Sequence, residues 1–177
     1  MNKVIVEKNN GYAVVSLNRP DSMNALSREL RDDFVAALED CQADEAIRVL
    51  IITGKGKAFS AGFDLKELAA PESGTAAETA DNIIARAMEA FEGPIIGAIN
   101  GHAITGGFEL ALACDVIIAS EQARFADTHA REGILAGWGL SQRLPRLIGL
   151  SRAKELSLTG RPLFAQEAYE WGLVNRV

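Results

Sequence analysis

Glu109 is the only charged residue between Asn100 and Asp115, and it stands three residues after Gly106 in GAINGHAITGGFELALACD, residues 97–115. The stretch reads as the end of a buried strand, a tight glycine-containing turn and the start of a buried helix. Ile95, Ile96, Ala98 and Ile99 form a short apolar run between Pro94 and Asn100-Gly101, the flanks of a core strand. Phe108, Leu110, Ala111, Leu112 and Ala113 are too apolar for a surface helix. Gly106 and Gly107 fall in the first helical turn, where the absence of a Cβ lets a ligand reach bare backbone N–H groups. Those groups and the helix dipole favour a negative oxygen. A carboxylate at such a place is either a helix cap or a catalyst, and this segment alone leaves both open.

A second loop repeats the pattern. In AFSAGFDLK, residues 58–66, a buried strand runs into a small-residue turn at Ser60-Ala61-Gly62, and a helix starts around Asp64. The Phe63 N–H then lies at the C-terminal end of a strand, where open α/β sheets collect ligands. Two backbone donors converging on one carbonyl make an oxyanion hole, which stabilises an enolate or a tetrahedral anion. The glycines and lysines of Gly54-Lys55-Gly56-Lys57 lack the spacing of a phosphate-binding P-loop, and no dinucleotide fingerprint is present. Lys55, Lys57 and Lys66 make a local basic spot, either solvated loop charge or a contact for a phosphorylated ligand.

The elements that must hold these loops follow from patterning. The hairpin signal Asn9-Asn10-Gly11 joins strands at residues 4–6 and 12–17. Ser27 caps a helix whose Leu30, Phe34, Leu38 and Cys41 share one face. Residues 48–53 are a continuous apolar strand of the kind buried on both faces. Residues 65–68 begin a short helix, residues 70–80 are the best candidate for a mobile loop, and a helix spans 82–92. Strands at 116–119 and 123–125 and helices near 139–149, 151–159 and 165–172 complete an α/β pattern, read as a single domain over residues 1–177.

With 48% hydrophobic residues the chain has material for a real core, and its net charge of −6 argues against nucleic-acid binding. Two cysteines and two histidines suggest neither a disulfide framework nor a metal site. The N-terminus lacks an apolar signal core and no stretch approaches a membrane span, so a cytoplasmic protein without a membrane partner is expected.

The combination NRPDSMNAL (18–26), AFSAGFDLKEL (58–68), AINGHAITGGFELALACD (98–115), GWGLSQRLPRLIG (137–149) and LTGRPLFAQEAYEWGLVNRV (158–177) resembles the crotonase superfamily, the enoyl-CoA hydratase/isomerase proteins. The resemblance implies a spiral of ββα units, an acyl-CoA thioester substrate, no cofactor beyond the coenzyme A of that substrate, and a trimer or dimer of trimers. It implies that the Phe63 and Gly106 N–H groups form the oxyanion hole. Ala25, Leu26, Ala61, Asp64 and Leu65 would line the adenine and pantetheine path. Relatives usually continue past the GLVNRV segment with further helices that the sequence lacks. Either it is a truncated product or those helices are missing by design, and apolar surface would then need a partner subunit.

The match departs from the family at one catalytic position. Hydratases of this family typically use two glutamates; the first matches Glu109, and the place of the second falls on His129. An imidazole can still shuttle protons, or His129 is a partly exposed helix-start residue bonded to Asp127. Asp127 and Glu132 would both favour the charged ring if close to it. Glu132 is a substitute acid or plain surface charge, and Trp138 is a wall of the acyl pocket or a core residue. Gly137 stands where the family's dehalogenases carry a nucleophilic aspartate, so that chemistry is unsupported. The leading expectation is an enoyl-CoA hydratase-like lyase. The alternatives are a double-bond isomerase, which needs one proton-moving group, and a non-catalytic acyl-CoA-binding oligomer subunit.

Overall fold

A computed structural model describes residues 2–68 and 82–177. Two sheets share the molecule. The first has strand order β1-β2-β3-β5-β7 and is built from β1 (Val4–Asn9), β2 (Gly11–Leu17), β3 (Ile47–Gly54), β5 (Ile95–Ile99) and β7 (Val116–Ala119). The second has order β4-β6-β8-β9, from β4 (Ala58–Ser60), β6 (His102–Ile104), β8 (Arg124–Ala126) and β9 (Leu163–Phe164). From β3 to β8 each consecutive pair gives one strand to each sheet, so the chain winds forward by one strand per turn. All of these interior pairings are parallel; only β1 and β9 run antiparallel to their neighbours. This is the α/β spiral that the resemblance implied.

Local chemistry explains the first sheet and its helix. Gly11 takes φ +90° at the β1–β2 turn, a conformation that a Cβ would oppose. The Ser27 hydroxyl accepts the Leu30 N–H and starts α1 (Arg28–Gln42), whose Leu30, Phe34, Leu38 and Cys41 are buried as their spacing requires. Strand β3 is more one-sided than its composition suggested. Ile47, Leu50 and Ile52 are buried, whereas Val49, Ile51 and Thr53 are half-buried. The helix expected over 82–92 spans Ile83–Ala90 (α3), after the short α2 (Leu65–Leu68), and Phe91 leaves it extended ahead of Gly93-Pro94. The segment 70–80 lies outside the described residues.

The second sheet corrects the sequence reading. Residues 97–115 were read as strand, turn and helix, but β6 stands between the turn and the helix α4 (Gly106–Leu112). Likewise Ala58–Ser60, read as strand end and turn, is a separate strand. Strands of two or three residues are too short to show a period of two, and of the four in this sheet only β8, expected at 123–125, is legible in the sequence. The remaining helices are α5 (His129–Glu132), α6 (Leu140–Ile148), α7 (Leu150–Thr159) and α8 (Ala165–Glu170). Phe34, Phe59, Phe108 and Phe125 are wholly buried in a core that both sheets share.

Candidate active site

The C-terminal ends of β4 and β6 bring the two glycine loops together. Gly62 takes φ +86°, and a Cβ on it would stand 2.8 Å from the Ile104 carbonyl oxygen and 3.0 Å from the Gly106 nitrogen. Only glycine permits this approach, and it makes the Phe63 and Gly106 N–H groups neighbours. Among the described residues neither N–H is given to a protein acceptor. Gly107 is equally constrained, since its Cβ would meet the Ser60 carbonyl oxygen at 2.2 Å.

A third loop locks the first. Leu26 N–H donates to the Gly62 carbonyl at 2.8 Å, and Ala61 N–H donates to the Met23 carbonyl at 2.9 Å. Asn24, buried at φ +54°, accepts the Arg19 N–H at 2.8 Å. Its amide donates to the Lys55 and Ala58 carbonyls at 2.9 and 2.7 Å. Asparagine tolerates this backbone region better than most residues, so its presence at 24 is the sequence signal for this tight turn. Of the residues assigned to the coenzyme path, Leu26 is wholly buried, Leu65 is exposed, and Ala25, Ala61 and Asp64 are half-buried. Asp64 is held by Arg19 at 3.0 Å, and the same guanidinium donates to the Ala25 carbonyl.

Glu109, only 1% exposed, is not a cap of its own helix. Its Oε1 accepts the Trp138 N–H at 2.8 Å and the Leu140 N–H at 3.2 Å. Those donors sit at the start of α6, so the positive end of a different helix holds the carboxylate. Its Oε2 lies 3.3 Å from His129 Nε2, within ion-pair range but off the line of a hydrogen bond, and keeps an open lone pair.

His129 is buried rather than partly exposed. Its Nδ1 meets Asp127 Oδ1 at 2.6 Å, and the same oxygen accepts the His129 backbone N–H at 3.2 Å. Burial works against charging the ring, but Asp127 on one side and Glu109 on the other outweigh it and raise its pKa to about 9. Burial likewise pushes the Asp127 carboxyl up, yet hydrogen bonds from His129 and from Ser157 of α7 bring it below the usual carboxylate range. The second carboxylate facing the ring is thus Glu109, not Glu132, which is exposed on α5.

Trp138 is a core residue and a neighbour of the site at once. It is 3% exposed, its ring is 4.8 Å from that of Phe63, and its indole N–H has no partner among the described residues. Thr105, between β6 and α4, takes φ +51° and ψ −113°. For a β-branched residue this backbone is strained by ~1–3 kcal/mol.

The chain that carries these loops matches a known family. The profile described as Enoyl-CoA hydratase/isomerase matches residues 7–177. The chain belongs to this family. It is 46% identical over 173 residues to the probable peroxisomal enoyl-CoA hydratase 1 of Arabidopsis thaliana, covering 98% of this chain and 65% of that protein. Among solved structures, an enoyl-CoA hydratase of Mycobacterium tuberculosis H37Rv is 49% identical with a TM-score of 0.86, covering 99% of this chain and 74% of that one. A monofunctional enoyl-CoA isomerase of M. smegmatis is 39% identical with a TM-score of 0.85, covering 99% and 77%. The chain therefore spans about two thirds to three quarters of the length of these hydratase and isomerase relatives. Among the described residues no helix is long and apolar enough to cross a membrane, and no group of three His, Cys, Asp or Glu is arranged to hold a metal.

Proposed function

We propose that this chain carries the active site of an enoyl-CoA hydratase-type lyase, which adds water across the double bond of a 2-enoyl-CoA thioester. The Phe63 and Gly106 N–H groups polarise the thioester carbonyl and take the negative charge that develops on its oxygen. The open Oε2 of Glu109 accepts a proton from water as the water oxygen bonds to C3. The resulting enolate takes a proton at C2 from the His129 imidazolium. Glu109 then returns its proton to His129 directly, and both groups are ready again. The sum is one water added, with no cofactor beyond the coenzyme A of the substrate.

The contact of Glu109 Oε2 with His129 Nε2 at 3.3 Å carries this reading, because it pairs an acceptor with a donor beside two free N–H groups. The coenzyme path runs past Ala25, Leu26, Ala61, Asp64 and Leu65, and Trp138 walls the acyl end. A homo-oligomer, trimer or dimer of trimers, belongs to the same reading. Leu135, 95% exposed, and Leu158, 78% exposed, are apolar side chains that such an assembly would cover. Sedimentation velocity reads that assembly.

Hydration of crotonyl-CoA by the parent chain and by Glu109→Gln tests the catalytic assignment. The variant should lose ~10²–10⁴-fold in kcat, and unchanged turnover sinks the reading. The similarity to a monofunctional isomerase favours one second reading, proton transfer between C2 and C4 by Glu109 alone. Turnover in ¹⁸O-water separates the two: label at C3 marks hydration, and unlabelled isomer marks the second reading.

A further inference from the structure

We propose that Thr105 is a positioning residue that fixes the oxyanion-binding backbone and the His129 imidazole relative to one another. The inference rests on the catalytic reading above and extends it to a residue that touches no reacting atom.

Thr105 is buried and clamped on both sides. Its N–H donates to the Ala126 carbonyl at 2.8 Å, and its own carbonyl accepts the Glu109 N–H at 3.0 Å. The β6–β8 ladder ends at Ile104 and Ala126, so beyond that pair the two chains are free to part. The next link is the contact between the Thr105 and Thr128 hydroxyls, at 2.5 Å. Thr128 in turn starts α5, its carbonyl accepting the Arg131 N–H at 2.9 Å and the Glu132 N–H at 3.1 Å.

Each threonine stands one residue before a functional group. Thr105 precedes Gly106, whose N–H faces the thioester oxygen, and Thr128 precedes His129. One turn past Thr105 is Glu109, whose Oε2 meets His129 Nε2. The hydroxyl pair thus closes a ring through β6, α4, His129 and β8.

The backbone strain makes the choice of residue informative. Gly106 and Gly107 follow directly, and a third glycine at 105 would adopt φ +51° without cost. A β-branched residue there is tolerated only where the surroundings hold it. Beyond a Cβ and a methyl group, threonine adds the one polar atom that glycine lacks, the hydroxyl that reaches Thr128.

Three substitutions separate positioning from support. Thr105→Val keeps shape and strain and loses the hydroxyl, Thr105→Gly loses both strain and hydroxyl, and Thr105→Ser keeps the hydroxyl. Thermal unfolding should rank Thr105→Gly above Thr105→Val. Both should nonetheless lose ~10²-fold in kcat on crotonyl-CoA with KM changed less than ~3-fold, since a displaced catalytic group costs rate rather than binding. Thr105→Ser should restore kcat. If kcat follows the unfolding temperature, or Thr105→Gly turns over like the parent, the proposal is overturned.

A readout independent of turnover keeps this apart from the catalytic reading. The chain has two histidines, His102 and His129, so imidazole NMR resonances can be assigned by a His129→Gln control. The groups facing the His129 ring are Glu109 from α4 and Asp127 from its own loop, the latter bonded to Ser157 of α7. The ring should titrate at lower pH in Thr105→Val and Thr105→Gly than in the parent, because Glu109 no longer faces it closely. An unchanged titration overturns the proposal even if the parent hydrates no substrate. A parent without hydratase activity overturns the catalytic reading alone.

Discussion

The two halves of this site are built from different materials. The proposed grip at Phe63 and Gly106 is backbone, shaped by Gly62 at φ +86° and by strands that end side by side. The acid–base half is side chain: Glu109 from α4, held by N–H groups of residues 138 and 140, faces an imidazole that Asp127 orients. Backbone geometry is written locally, in glycines and turn residues. The carboxylate–imidazole contact joins residues twenty positions apart and exists only once β6 and β8 have paired. A substitution in the first half should therefore damage binding and rate together, whereas one in the second should damage rate and its pH dependence.

Gly62→Ala is the harshest test of that division. Its Cβ would collide with Ile104 and Gly106, so the loops must separate, and kcat should fall ~10²–10³-fold with weaker thioester binding. Steady-state kinetics with a competitive-binding measurement reads both effects. Retained affinity for crotonyl-CoA would show that the grip lies elsewhere.

Asp127→Asn removes the orienting charge without touching the grip. Turnover at neutral pH should fall roughly 10-fold, with KM near that of the parent, as the ring loses its fixed tautomer and its pKa drops. The measurement is a pH series of kcat. A parallel loss of affinity would contradict the division.

The same pair leaves a mark on stability. His129 has a folded pKa raised to about 9 against an ordinary value of 6.5. Its contribution is complete below the unfolded value and is lost as pH rises through the folded one. Unfolding temperature should decline between about pH 7 and pH 10, and His129→Gln should flatten that decline. Asp127, lowered in the fold, works in the opposite sense and withdraws its contribution as pH falls through its folded pKa. Smallest of all is Glu132→Gln, which should leave turnover within about twofold because the side chain is exposed on α5. A large loss there would restore Glu132 as the acid.

Much of the first sheet was legible because its signals are local. The Asn9-to-Gly11 turn, the Ser27 cap and the face of Leu30, Phe34, Leu38 and Cys41 all act within a few residues. Both glycine loops were found for the same reason. Of the second sheet only β8 was legible, at 123–125, since β4, β6 and β9 are two or three residues long and owe their existence to neighbours. Nor was the anchoring of Glu109 by residues of the α6 start, which no sequence spacing encodes. His129 was singled out only as a departure from a family pattern. Its burial and its second carboxylate came from the fold. Thr105 passed unnoticed, because positive φ in a threonine leaves no trace in the sequence.

The central claim is that His129 delivers the C2 proton as an imidazolium held by Asp127 and Glu109. The most direct measurement is the pH dependence of kcat/KM for crotonyl-CoA hydration in the parent and in His129→Gln, which reports the free enzyme's ionisations. The parent should be constant toward neutral pH and fall on the basic side around the raised His129 value of about 9. His129→Gln should be ~10²-fold slower and lack that limb. A variant as fast as the parent, with the same basic limb, would contradict the account and leave Glu109 to act alone.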